Sequence, residues 1–293
     1  MMNMPETPPS ASLRKWEFPE GVIAQGDCLE WIPHLPLQSV RLIAIDPPFF
    51  TGKRQEGAGS SPASYSDSWI GGKAAYLEWL MERIAAMREL LLPDGSFVVH
   101  LDRHAVHAVK VALDDLFGEE CFQNEIIWYY QTGGAGTTRF SRKHDSLLWY
   151  TRSDRWVFHP ERIPVHRAPK ALERARNPKG ARISSSDTHK LPGDVLFVPS
   201  LNPMSKERTG YPTQKPLELM EIFIEALTEP GESVADFFCG SGTTVVAAAG
   251  LGRKWLACDI SGDAVAAARK RLSSITAKSW LWDMPQEETD ASR

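Results

Sequence analysis

The chain has 293 residues, 42% hydrophobic and 24% charged, with a formal net charge of −4; this is ordinary for a soluble globular protein with one large core. No apolar run approaches the roughly 18 residues of a membrane span, and the polar, proline-rich start (Met1 to Ser12) is unlike a secretory leader, so a cytoplasmic protein is expected. Cys28, Cys121, Cys239 and Cys258 are far apart and lack metal-type spacing, which reads as structural thiols.

Residues 21–28 read as a short strand closing on Asp27, followed by a short helix around Leu29 to His34. The run Leu42 to Ile45 is a buried, parallel-type strand that ends in Asp46-Pro47-Pro48-Phe49. From Thr51 to Ser68 the composition turns to Gly, Ser, Lys and Arg and predicts a mobile loop. Leu77, Leu80, Met81, Ile84, Met87, Leu90 and Leu91 recur at helical spacing. Pro93-Asp94-Gly95 predicts a turn that ends this helix, with a strand over Ser96 to Leu101 and a second amphipathic helix over about His104 to Phe117. Asn124 to Tyr130 and Ser146 to Thr151 read as an antiparallel pair, given Gly133, Gly134 and Gly136 between them.

From Arg152 to Tyr211 periodicity fades while Arg, Lys and Pro accumulate. Residues 131–210 carry 15 Lys+Arg against 7 Asp+Glu, which leaves the rest of the chain at −12. A basic segment set in an acidic body suits phosphate attraction on one face, with Arg139, Arg142, Lys143, Arg167, Arg174 and Arg176 as candidate contacts. Regular patterning returns with a helix over Leu217 to Leu227, the turn Glu229-Pro230-Gly231, and a strand from Ser233 running into a glycine turn. A helix from Thr243 to Ala249, a strand over Lys254 to Ile260 and a helix over about Gly262 to Ile275 follow. Three parts are expected: residues 20–151 and 214–280 as two halves of one domain, and 152–213 as an insertion for recognition. No internal repeat is visible.

A strand, then Gly240 and Gly242, then a helix opening at Thr243, lets backbone N–H groups approach a ligand closely. Asp259 ends the next strand, where a carboxylate can accept from both ribose hydroxyls. The dinucleotide fingerprint fails because valine, Val245, stands at its third glycine. Asp236 would instead face an ammonium group and Phe238 a sulfonium, which points to S-adenosylmethionine.

Asp46-Pro47-Pro48-Phe49 suits a flat ring bearing an exocyclic amine. Such an amine is a poor nucleophile because its lone pair is delocalised. Asp46 accepting one N–H and the Pro47 carbonyl the other would localise that pair for in-line methyl transfer. The prolines stiffen the turn, and Phe49 offers a face for an extruded base.

On these residues the chain resembles the amino-methyltransferases of DNA, in the permuted β class, where the DPPY-type motif precedes the recognition region and the FxGxG motif follows it. The resemblance covers about residues 22 to 275. It rests on Asp46 to Phe49, on Phe238, Gly240 and Gly242, on Asp259 as the ribose acid, and on Asp27 as an acid near the cofactor adenine. The stretch Tyr211-Pro212-Thr213-Gln214-Lys215-Pro216 looks like the family's linker, and Lys215 joins Thr243 among the candidate cofactor contacts. The resemblance implies a Rossmann-like α/β fold, with a mostly parallel twisted sheet and helices on both faces. Implied partners are double-stranded DNA, a second copy of the chain and a companion restriction endonuclease, with the protein near the nucleoid.

Phe49 replaces the commoner tyrosine, and Phe237 stands where proline is frequent. Asp46 implies adenine N6 as the target, with cytosine N4 as the alternative. RNA and protein-glutamine methyltransferases share a similar motif but usually keep the cofactor motif first. A catalytically silent DNA-binding subunit would predict damage to Asp46 or the glycines, and there is none. His100, Asp102, His104 and His107 lie close in sequence but read as solvated or structural groups, so no metal is expected.

Overall fold

The structure, a computed structural model, describes residues 13–56, 64–130, 136–168, 170–171, 188–202 and 204–282. Its strands are β1 (Arg14–Phe18), β2 (Gly21–Gln25), β3 (Val40–Ile45), β4 (Arg54–Glu56), β5 (Ser64–Ser66), β6 (Leu91–Leu101), β7 (Phe122–Tyr129), β8 (His144–Thr151), β9 (Val165–His166), β10 (His189–Lys190), β11 (Val195–Phe197), β12 (Ser233–Asp236) and β13 (Lys254–Asp259). The helices are α1 (Cys28–Trp31), α2 (Gly72–Leu90), α3 (Val106–Phe117), α4 (Leu217–Leu227), α5 (Thr243–Gly250) and α6 (Gly262–Trp282).

Nine strands form one sheet in the order β1-β2-β13-β12-β3-β6-β8-β7-β11. The five from β2 to β6 are parallel, β1 and β8 run against them, and β7 and β11 resume the common direction. Such a sheet needs cover on both faces, and the buried residues divide accordingly. One apolar cluster joins it to α4, α5 and α6 through Phe223, Val245 and Ala268; the other joins it to α1, α2 and α3 through Trp31, Ile84 and Val109. This is the expected α/β architecture. Among the described residues no helix is long and apolar enough to cross a membrane.

At three places the structure adds to or differs from the sequence reading. The chain leaves α2 directly into β6, five residues before Ser96. Val40 pairs with Leu91 and Leu42 with Ser96, so Pro93-Asp94-Gly95 bulges from the strand instead of preceding it. Arg41 pins this bulge: its guanidinium pairs with Asp94 at 2.5 Å and Glu232 at 2.8 Å.

The second is at Thr51 to Ser68, read as a mobile loop: residues 57–63 lie outside the described residues, and on either side of them β4 and β5 pair antiparallel. Buried Asp67 ties their base, accepting from the Phe50 and Thr51 amides at 2.8 Å each and from Thr51 Oγ1 at 2.6 Å. Third, segment 152–213 adds β11 to the main sheet, parallel to β7. A three-residue strand is too short for periodicity to show.

Candidate active site

Parallel strands bring their carboxyl ends to one edge, and a chain that ends several of them in acids collects those acids there. Along that edge stand Asp27 after β2, Asp259 at the end of β13, Asp236 at the end of β12, Asp46 after β3 and His100 near the end of β6. Antiparallel β8 begins at the same edge and adds Asp145. A cavity of about 300 Å³ opens beneath them, lined by Asp27, Asp46, Asp236 and Asp259 together with Trp79, Phe238, Tyr211 and Ile260.

The glycine turn forms one wall. Gly240 and Gly242 have φ of +50° and +78°, the left-handed region that favours glycine. A Cβ on Gly242 would meet Ala268 Cβ at 2.7 Å, and one on Gly240 would meet the Tyr211 ring at 3.2 Å. Asp259 Oδ2 accepts the Gly240 amide and Oδ1 the Ser261 amide, both at 2.8 Å. The Thr243 hydroxyl is used within the protein, donating to the Lys215 carbonyl at 3.2 Å and accepting from Arg271 at 3.1 Å.

Asp236 is 2% exposed and accepts the Phe238 amide at 3.0 Å. Burial pushes its carboxyl up to about 7 against the hydrogen bonds from Thr244 and Phe238, and the charges of Asp46 and Asp259 push the same way. Burial likewise raises Asp259. Asp27 caps α1 through the Leu29 amide at 3.0 Å and pairs with the buried Arg83, whose guanidinium lies 4.4 Å from the Trp79 ring. The cavity thus combines several carboxylates with aromatic faces, a donor set that suits a cationic ligand with a flat ring.

At the other end Asp46 is clamped. Its Oδ1 contacts His100 Nδ1 at 2.7 Å and its Oδ2 accepts from Lys215 Nζ at 2.5 Å. Burial opposes ionisation, but the Lys215 ammonium and His100 outweigh it and hold the carboxyl below its ordinary range. The Phe49 ring lies edge-on to His100 at 5.1 Å, with Lys215 Nζ 5.2 Å from its centre. Tyr76 donates to the Pro48 carbonyl at 2.8 Å and fixes the turn from below.

The candidates from Asp27 to Asp259 therefore share one edge. Lys215, grouped with the cofactor contacts, directs its ammonium at Asp46. Arg139 and Arg142 are exposed, close enough to each other and to Arg103 for their charges to repel, while Lys143 and Arg167 are half-buried. Arg174 and Arg176 lie outside the described residues. Sequence reasoning missed Arg83, Asp145 and Ile260 and placed His100 among structural groups. His100 carried one usable signal: it is a polar residue inside an apolar strand, and it is 1% exposed. Among the described residues no group of three or more His, Cys, Asp or Glu side chains is placed to hold a metal ion.

The model of the N6/N4 DNA methylase family matches residues 40–270. The chain is 27% identical over 257 residues to the DNA adenine methyltransferase YhdJ of Escherichia coli (strain K12), covering 85% of this chain and 82% of that protein. It is also 27% identical over 299 residues to the type II methyltransferase M.EcaI of Enterobacter cloacae, covering 80% of this chain but 65% of that longer protein. Among solved structures, the PvuII DNA methyltransferase (cytosine-N4-specific) superposes with a TM-score of 0.63 at 20% identity, covering 88% of this chain and 90% of that one. The M1.HpyAVI-SAM complex superposes with a TM-score of 0.56 at 23% identity, covering 85% and 98%.

Proposed function

The chain belongs to the N6/N4 DNA methylase family, which uses S-adenosylmethionine, and from that premise we propose that it methylates the N6 amine of adenine in double-stranded DNA. The observation that carries the proposal is the placement of Asp46, an ionised acceptor, at the rim of the cavity that also holds the glycine turn, Asp236 and Asp259. Bound there, S-adenosylmethionine supplies an electrophilic methyl group.

In this reading Asp236 holds the cofactor's ammonium, the Phe238 ring lies beside its sulfonium, Asp259 takes the ribose hydroxyls, and Asp27 with Ile260 flanks its adenine. The target base is flipped from the duplex and stacks on Phe49. Asp46 accepts one amine hydrogen and the Pro47 carbonyl the other, so the nitrogen lone pair points at the methyl group. A carboxylate has about four acceptor positions, so Asp46 can serve the amine while it keeps His100 and Lys215. After transfer, the surplus proton on nitrogen has Asp46 as its nearest base.

Aspartate at the head of the motif and a relative named as an adenine methyltransferase favour adenine. The test is transfer of tritiated methyl groups from S-adenosylmethionine to unmethylated bacteriophage DNA; label in the DNA supports the reaction, and none refutes it.

A further inference from the structure

His100 is a buried imidazole held between two carboxylates. Its Nδ1 is 2.7 Å from Asp46 Oδ1, and its Nε2 is 3.3 Å from Asp145 Oδ2. Because Asp46 is ionised and can only accept, Nδ1 must be the donor in that contact. Behind the imidazole, Tyr130 donates to Asp145 Oδ1 at 3.2 Å. The rings of Phe49 and Trp128 meet the imidazole edge-on at 5.1 and 5.6 Å. The pairing of β6 with β8, with His100 opposite Leu147, brings Asp145 to this point.

We infer that His100 is a positioning residue: its Nδ1–H aims Asp46 Oδ1 at the target amine, and the Asp145 carboxylate, held by Tyr130, faces Nε2 at 3.3 Å as an electrostatic anchor. Nothing in the proposed reaction requires His100 to touch substrate, so its effect runs through Asp46 alone. The inference rests on the methyl-transfer reading above.

A buried histidine between aromatic rings could serve packing only, and two substitutions separate the two roles. His100→Leu fills the space but has no donor, whereas His100→Asn leaves a gap but places an amide N–H near the Nδ1 position. Packing alone predicts that leucine is tolerated better. Positioning predicts the reverse: His100→Leu lowers single-turnover methyl transfer about 100-fold, and His100→Asn by about tenfold or less. In both variants the calorimetric affinity for S-adenosylmethionine stays near wild type, which also shows that they are folded. Asp145→Asn should lower the rate about tenfold by loosening the anchor.

The assay is the tritium transfer to bacteriophage DNA, read as rate at saturating cofactor and DNA. The inference is overturned if His100→Leu transfers methyl groups as fast as His100→Asn or faster, or if rate and cofactor affinity fall together. Unchanged transfer by Asp145→Asn would overturn the anchoring part. Transfer by wild type with indifferent His100 variants would sink this inference and leave the reaction standing, while no transfer by wild type would overturn both.

Discussion

Lys215 Nζ donates to Asp46 Oδ2 at 2.5 Å although 169 residues of chain separate the two. Lys215 precedes α4 and Asp46 follows β3, so the pair ties two distant parts of the chain together at the cavity. Both groups are largely buried, and the ammonium is the main favourable influence on Asp46 against its burial. Removing it should raise the Asp46 carboxyl. A reaction that needs ionised Asp46 would then fail at a higher pH as the solution is acidified. Comparing pH–rate profiles of wild type and Lys215→Met checks this; superimposable acid limbs would contradict it.

Asp236 titrates in the opposite sense. Burial, helped by Asp46 and Asp259, raises its carboxyl to about 7, so the folded state favours the protonated form. The associated stability is fully present below the ordinary carboxyl range and is lost as pH rises to about 7. Asp236→Asn should therefore gain up to about 4 kcal/mol over wild type between pH 4 and 8 in the absence of cofactor, read from urea melts. Wild-type affinity for S-adenosylmethionine should strengthen as pH rises toward 7, with release of a proton, because an ammonium needs the ionised carboxylate. Affinity independent of pH would remove Asp236 from that contact.

Asp259 binds two amides of the surrounding loops and faces the cavity. Asp259→Ala should weaken S-adenosylmethionine binding by about 1–3 kcal/mol, the range for losing a charged hydrogen-bond partner. Calorimetry on the isolated protein measures it, and an unchanged dissociation constant would place the ribose elsewhere.

Asp67 holds the turn just beyond Asp46-Pro47-Pro48-Phe49, where Phe50 has a φ of 61°. Asp67→Ala removes three hydrogen bonds from part-buried donors, so stability should fall by about 2–4 kcal/mol. Tm together with kcat checks the effect: a stable variant with normal kcat would show that the turn keeps its shape without the anchor.

Arg139 and Arg142 are exposed on the segment between β7 and β8. Charge reversal of both should weaken DNA binding and reduce the slope of log affinity against log salt by about 2, with cofactor affinity unchanged. Equal slopes would make them a solvated face.

The carboxylates of the site were legible because each closes an apolar strand, and parallel strands deliver their ends to one edge. His100 and Asp145 were not, since their meeting depends on the antiparallel pairing of β6 with β8, between which α3 and β7 intervene in the chain. Lys215 was visible as part of a motif, but no pattern says which carboxylate a flexible four-carbon side chain will reach. The same limit hid Arg83, whose partner Asp27 lies on another element. The bulge at Pro93 to Gly95 looked like an ordinary turn because its anchor, Arg41, is remote in sequence.

Whether Asp46 directs methyl transfer to the N6 amine of adenine is read most directly from the product. Unmethylated bacteriophage DNA should be incubated with the protein and S-adenosylmethionine, digested to nucleosides and separated by mass spectrometry, with Asp46→Asn run in parallel. Wild type should yield N6-methyladenine and the variant none, although the variant should still bind cofactor. N4-methylcytosine as the sole product would contradict the adenine assignment, and wild-type turnover by Asp46→Asn would contradict the mechanism.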